Sequence, residues 1–401
     1  MKLNEVVIVS ACRTPIGKFQ GQFKTVSARE LAMTAGAEAI KRAGIEASII
    51  DQTVVGEVYT GMQGSLPAKQ ISYRLGVPET SNACVVNQNC ASGMRALEIA
   101  CDHIALGKSE VALVIGVESM TNAPHMIPKA RGGLRMGSGE IVDSLLHDAL
   151  IDELSGGHMG VTAENVAKLY GITREECDQI AVRSHNLACK AIEEGKFEEE
   201  IVPVVVKNRK GDKIITTDEH PIRDCTMESI SGLRPAFIKD GVVTAANASG
   251  INDAAAAVVV MSADKAKELG IKPLLKMITI TSGGVAPEIM GVGPAVSIPK
   301  ALAQAGLKYE DVDYWEINEA FAAQFIGCGR KLKEEYGIDI NMDRTNVNGS
   351  GIALGHPIGC TALRIIVSMY YEMKRNNYKI GGAALCVGGG PSMASLWTTE
   401  I

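Results

Sequence analysis

The sequence predicts an α/β protein of two similar halves, with helices packed on mixed or parallel sheets and an insertion in the first half. Three observations carry that expectation. Composition comes first: aromatic residues make up only 4%, against 46% hydrophobic residues overall and 42 glycines, which suits close helix-on-sheet packing better than an all-β sandwich. Next, apolar strand patterns run into helical patterns in "EVVIVSACRTP", "QTVVGEVY", "LLKMITITSGG" and "DYWEINEAFAAQF". Finally, the chain repeats itself. "CASGMRAL" (90–97) aligns without gaps to "HPIGCTAL" (356–363), pairing Gly93 with Gly359, Ala96 with Ala362 and Leu97 with Leu363. Each copy follows an Asn/Gly-rich turn and leads through a helical pattern to an apolar strand, "VALVIGVES" or "AALCVGGG", as a duplicated βα unit would.

At 401 residues the chain exceeds one ordinary core. The first half is expected to span 1–119 and to resume at 250–272. Between them, 120–249 changes texture to short helices, loops and charged turns such as "PKARGGLRMGSG" and "VKNRKGDKIITTDEH". The second half covers 273–401. Two repeated units related by a pseudo-twofold bring their helix N-termini to one cleft, which makes Cys90 and His356 equivalent positions facing each other.

A net charge of −6 without a long basic run argues against nucleic acid as a partner. No 18-residue apolar run predicts a membrane span. The start, "MKLNEVVIVSACRTPIG", passes from a charged residue into a strand with no h-region, and the ten cysteines form no C-x-x-C pair. The expectation is a reduced, cytoplasmic protein without a metal site.

Cys90 sits where an amphipathic helix begins, a setting that favours thiolate over thiol; the alternative use is as a small buried hydrophobe. The glycines of "GSGIALGHPIG" are not a dinucleotide fingerprint, because His-Pro interrupts them and no acid follows about twenty positions on. The His-Pro step instead sets His356 at a helix start, within reach of a thiol. Cys386, in "LCVGGGPS", ends an apolar strand before glycines whose bare amides, Gly388 among them, can form an oxyanion hole. Asn318-Glu319 either cap a helix or belong to the site. "GGHMGVTAEN" and "AANASGINDAA" are small and polar enough to admit a narrow ligand. A thiolate, a histidine, a second thiol and donor amides suit acyl exchange between thioesters, with a second base removing a proton α to a carbonyl to form a carbon–carbon bond.

These residues lie in motifs that resemble the thiolase family over essentially the whole chain: "RTPIGKF", "NQNCASG", "GHMGVTAEN", "NASGINDAA", "NEAFAAQ", "GIALGHPIG" and "CVGGG". The resemblance implies a five-layered αβαβα core with an inserted loop domain that binds coenzyme A. It implies Cys90 as the acylated nucleophile, His356 as its partner and Cys386 as the acid/base at the substrate α-carbon. Asn318 would hold a water in one oxyanion hole with His356; the N–H groups of Cys90 and Gly388 would form the other. His158, Met159, Ser249, Phe237, Met290 and Phe321 would line the pantetheine and acyl channel, with Arg223 and Ser229 near the nucleotide end. The implied reaction is condensation of two acetyl-CoA to acetoacetyl-CoA and its reverse, with the thioester as substrate and no separate cofactor, in a homodimer or homotetramer. The alternatives are a thiolase acting on longer 3-ketoacyl-CoA and a non-catalytic acyl-CoA-binding relative. Asn89 and Ala91 stand where the family usually has Leu and Gly, and "CVGGG" is followed by Pro391-Ser392 where a further glycine is usual.

Overall fold

The computed structural model describes residues 3–401. The first half contributes strands β1 (Val6–Arg13), β2 (Gln52–Gly56), β3 (Asn82–Val86), β4 (Val111–Ser119) and β5 (Asn252–Ser262). The second contributes β6 (Leu275–Gly284), β7 (Tyr314–Ile317), β8 (Ile380–Cys386) and β9 (Pro391–Thr398). Their spatial order is β7-β8-β9-β6-β1-β5-β4-β2-β3. Read outward from the β1/β6 seam, the halves repeat: β1-β5-β4-β2 on one side, β6-β9-β8-β7 on the other. Strand β3 has only a single bridge, Trp315 to Thr345, as its counterpart. The seam itself is short, Val7 opposite Lys276 and Ile8 opposite Leu275, so the two halves of the sheet diverge beyond it.

The longer helices are α1 (Ala28–Ala43), α2 (Ser92–Ala105), α3 (Met159–Tyr170), α4 (Arg174–Glu193), α5 (Pro294–Ala305), α6 (Ala322–Tyr336) and α7 (Ile358–Asn376), of which all but α3 and α4 form layers with the sheet. Strand alternation sorts them into layers, because successive side chains point to opposite faces. Ile8, Ala256 and Val258 from one half and Leu385 and Met393 from the other share a core with Met94 and Leu97 of α2 and Leu363 and Ile366 of α7. Val7, Val9 and Val259 face the other way, onto Leu31 and Ala35 of α1. Ala384, Ala394 and Leu396 face Ile298 of α5 and Phe325 of α6. The result is α1, sheet, α2 with α7, sheet, α5 with α6: five layers.

The repeat glycines mark where the central helices meet. A Cβ on Gly93 would stand 3.0 Å from Leu363 Cβ and 3.1 Å from the Gly359 carbonyl, and one on Gly359 would stand 2.6 Å from the Val117 carbonyl. Their absence lets the first turns of α2 and α7 approach closely, which places the residues just before each helix in one cleft. Glu118, at the end of β4, accepts hydrogen bonds from Val58 N–H (3.1 Å), Tyr59 N–H (3.1 Å) and Gly359 N–H (2.9 Å), fastening the N-terminus of α7 to the first half. The segment between β4 and β5 carries α3 and α4 and is tied to β1 by buried Arg13, which pairs with Glu200 at 2.5 Å and Asp218 at 2.8 Å. Among the described residues no helix is long and apolar enough to cross a membrane.

Candidate active site

Strand β3 ends at Val86, and the chain turns tightly before α2 begins at Ser92. The Ser92 hydroxyl accepts from Gln88 N–H at 2.9 Å and donates to the Asn89 carbonyl at 2.7 Å, closing the turn around Cys90. The backbone amides of Gly388 and of Cys90 itself both favour the ionised form of the Cys90 sulfur. They do not make it a thiolate. Burial pushes the thiol up to about 11, against the lowering effect of the two amides and with the Glu118 charge adding to the rise. The expectation of a pre-ionised nucleophile is therefore corrected: desolvation outweighs the helix end, and the resting group is a neutral thiol.

His356 is half of a directional arrangement. Its N–H donates to Asn252 Oδ1 at 2.9 Å, and its ring Nδ1 lies 2.6 Å from the Thr361 hydroxyl. That hydroxyl lies 2.9 Å from the Pro357 carbonyl, which can only accept, so Thr361 gives its proton there and receives the Nδ1 proton. The hydrogen-bond network thus assigns the neutral tautomer with a bare Nε2, and this buried atom has no protein partner. Burial, with the charge of Arg364 as a second cause, pulls His356 down to about 3. The site rests with a neutral thiol and a neutral imidazole whose free lone pair can take a proton.

Cys386 ends β8 and is fully buried; desolvation first, then the neighbouring Cys90 and Cys328, raise it well above the ordinary thiol range. Beyond it the chain reverses tightly: Val387 N–H donates to the Pro391 carbonyl and Gly390 N–H to the Val387 carbonyl, both at 3.1 Å. Gly389 and Gly390 adopt φ of +90° and +103°, values that favour glycine. Asn318 is fully buried, and neither its Oδ1 nor its Nδ2 has a partner among the described residues. Of the two readings of Asn318-Glu319, the cap pair fails. Helix α6 starts at Ala322, and Glu319 instead binds Ser184 at 2.6 Å and Asn346 at 2.9 Å.

One cavity of about 400 Å³ gathers ten of the residues singled out by sequence: Cys90, His356, Cys386, Gly388, His158, Met159, Phe237, Ser249, Met290 and Phe321. Its far wall is aromatic. The His158 ring stacks on Phe237 with centroids 4.6 Å apart, and Phe237 meets Phe321 edge-on at 6.2 Å. Phe237 can lie there because residue 160 is glycine; a Cβ would fall 2.2 Å from its ring. His158 Nδ1 accepts from Gly160 N–H at 3.0 Å, capping α3 and fixing its own ring. Asn318 lies outside this lining. Arg223 and Ser229 also lie elsewhere: Arg223 borders a separate depression with Cys189 and Glu193, and Ser229 closes a reciprocal cap with Thr226. Sequence reasoning overlooked Thr361 and Glu118. Thr361 carries a weak signal, a hydroxyl in the first turn of the helix that His356 precedes.

With this geometry in view, comparison with known proteins is decisive. The profile of "Thiolase, N-terminal domain" matches residues 6–264 and that of "Thiolase, C-terminal domain" matches residues 271–399. The chain belongs to the thiolase family. This thiolase is 48% identical over 392 residues to an acetyl-CoA acetyltransferase of Syntrophomonas wolfei, covering 97% of this chain and 98% of that protein. A solved acetyl-CoA acetyltransferase structure from Syntrophomonas wolfei superposes with a TM-score of 0.98 at 58% identity, over 99% of this chain and 100% of the other. Human mitochondrial 3-ketoacyl-CoA thiolase shares the fold at a TM-score of 0.94 and 35% identity, with 100% of each chain covered.

Proposed function

We propose that this thiolase transfers an acetyl group from one acetyl-CoA to the α-carbon of another through an acetyl-Cys90 intermediate, forming acetoacetyl-CoA and CoA, and catalyses the reverse cleavage. The observation that carries the reading is the unpartnered Nε2 of His356 in the same cavity as Cys90 and Cys386. The names of its relatives support acetyl-CoA as the substrate.

In the first half-reaction the Cys90 proton passes to His356 Nε2 as the sulfur attacks the thioester carbonyl. The tetrahedral oxyanion is received by the N–H groups of Cys90 and Gly388, both of which border the cavity. Collapse expels the CoA sulfur, which takes the proton from Nε2 and leaves as CoA thiol. His356 is neutral again. In the second half-reaction the Cys386 proton passes to Nε2, and the resulting thiolate removes a proton from the methyl carbon of a second acetyl-CoA. The enolate carbon attacks acetyl-Cys90; the Cys90 sulfur leaves and recovers its proton from Nε2. Every proton is returned, and both cysteines end as thiols. Asn318, with two unpartnered polar atoms, is suited to hold the water that supports His356 at the enolate oxygen. Cleavage runs the same steps backward.

The segment 120–249 supplies His158, Met159, Phe237 and Ser249 to the cavity and is the proposed coenzyme A domain, with Arg223 and Ser229 at its nucleotide end. We further propose a cytoplasmic homodimer or homotetramer, which light scattering on the purified protein distinguishes from a monomer. The chain-length test is turnover of a four-carbon against six-carbon and longer 3-ketoacyl-CoA. The aromatic wall of Phe237 and Phe321 predicts the four-carbon substrate to be fastest; activity that rises with length assigns the chain to the longer-chain reading.

A further inference from the structure

We infer that Asn89 is a positioning residue for acyl transfer: its side-chain amide fastens the Cys386–Gly390 turn to the nucleophile turn and so holds the Gly388 N–H on the reacting centre. The inference rests on the acetyl-Cys90 reading above.

Asn89 directly precedes Cys90 and lies at φ +46°, in the left-handed region that Asn tolerates better than most residues. Its backbone is held by other groups. The N–H donates to Asn87 Oδ1 at 2.9 Å, and the carbonyl accepts from Ser92 N–H at 3.0 Å and from the Ser92 hydroxyl at 2.7 Å. The turn therefore does not need the Asn89 side chain to keep its shape. That side chain reaches across the cleft instead, with Nδ2 donating to the Gly388 carbonyl at 3.3 Å, a link between residues 299 apart in sequence.

Gly388 is the residue whose placement matters most there. It borders the same cavity as Cys90, and its amide favours the ionised sulfur, so the same glycine is held by its carbonyl and works through its amide. The two glycines after it both adopt positive φ, and glycine backbone is intrinsically loose. The other bonds of this turn are internal or reach Val285, whose N–H donates to the Gly390 carbonyl at 2.9 Å. From the side of the nucleophile, Asn89 is the tether. Leucine, which the family usually carries at this place, has no donor to offer.

Asn89→Gly separates the tether from the backbone, since glycine adopts the same φ without strain. The probes are CoA release on mixing with acetyl-CoA and alkylation of Cys90 by iodoacetamide, a reaction that forms no oxyanion. Removing an oxyanion donor outright costs roughly 10²–10³-fold, and a donor that is present but loosely held costs less. The variant is expected to acetylate about tenfold more slowly, while its alkylation, which loses the amide's effect on the sulfur but needs no oxyanion, falls by no more than about threefold, and hydrogen exchange across 387–390 is expected to quicken. Acetylation at the wild-type rate overturns the inference, as does a parallel fall in acetylation and alkylation, which would mean a general disturbance of the turn. Absence of acetyl-Cys90 in the wild-type enzyme would overturn the underlying reading instead.

Discussion

Replacing Thr361 by valine keeps the side-chain shape and removes one oxygen, and the structure fixes what that should cost. The Thr361 hydroxyl receives the His356 Nδ1 proton at 2.6 Å within a fully buried site. A buried N–H left without a partner costs about 1–3 kcal/mol, so the tautomer with a bare Nε2 loses that much relative to the one whose proton sits on Nε2 and faces the cavity. At about 1.4 kcal/mol per tenfold, the fraction of enzyme able to take the Cys90 proton falls by roughly 5-fold to 150-fold. The assay is the pre-steady-state burst of CoA release at saturating acetyl-CoA, with Thr361→Ser as control. Serine keeps the acceptor and should stay within about threefold of wild type. Wild-type acetylation by Thr361→Val would refute the tautomer argument, and an equal loss in both variants would point to the missing methyl group rather than the hydrogen bond.

Cys386→Ser should still form acetyl-Cys90, while condensation falls by at least about two orders of magnitude, the usual worth of a positioned acid/base; equal loss in both half-reactions would give Cys386 a shaping role only. Acetylation should also be nearly independent of pH around neutrality. With His356 pulled down to about 3, the base is lost only as pH falls through that value; with Cys90 pushed up to about 11, free thiolate accumulates only as pH rises through that one. The burst rate should thus change less than about threefold from pH 5 to 9, and a tenfold rise per unit would show attack by a pre-formed thiolate. Gly160→Ala places a Cβ 2.2 Å from the Phe237 ring and should displace it, raising KM for acetyl-CoA and costing about 1–3 kcal/mol in denaturant unfolding. An unchanged KM and midpoint would mean that the aromatic wall yields freely.

Much of the architecture is legible in the sequence because the repeat has a steric origin. Gly93 and Gly359 recur where two central helices touch, and a contact that tolerates no side chain leaves the same letter in both halves. Cys90, His356 and Cys386 are legible for a related reason, since each borders a turn near glycine or proline: Gly93 follows Cys90, Gly355 and Pro357 flank His356, and Gly388 to Gly390 follow Cys386. What sequence does not carry is depth. A helix start suggested an ionised Cys90, but desolvation depends on what packs above the thiol, and Phe237, Met159 and Met290 reach that cavity from distant parts of the chain. Asn318-Glu319 reads equally well as a cap until Asn346 and Ser184 are seen to claim the glutamate. Thr361 and Glu118 act through a hydrogen-bond direction and a helix terminus, which no spacing rule encodes. The side-chain link from Asn89 to Gly388 spans the two halves and becomes visible only once they are folded together.

The central claim, that Cys90 carries the acetyl group, is tested most directly by mixing the enzyme with acetyl-CoA, quenching in acid and mapping the digested peptides by mass spectrometry. The account predicts one acetyl group per chain, on the peptide containing Cys90, with CoA released in equal amount and neither event in Cys90→Ala. Acetylation of Cys386 in its place, or a burst of CoA that survives in Cys90→Ala, would contradict it.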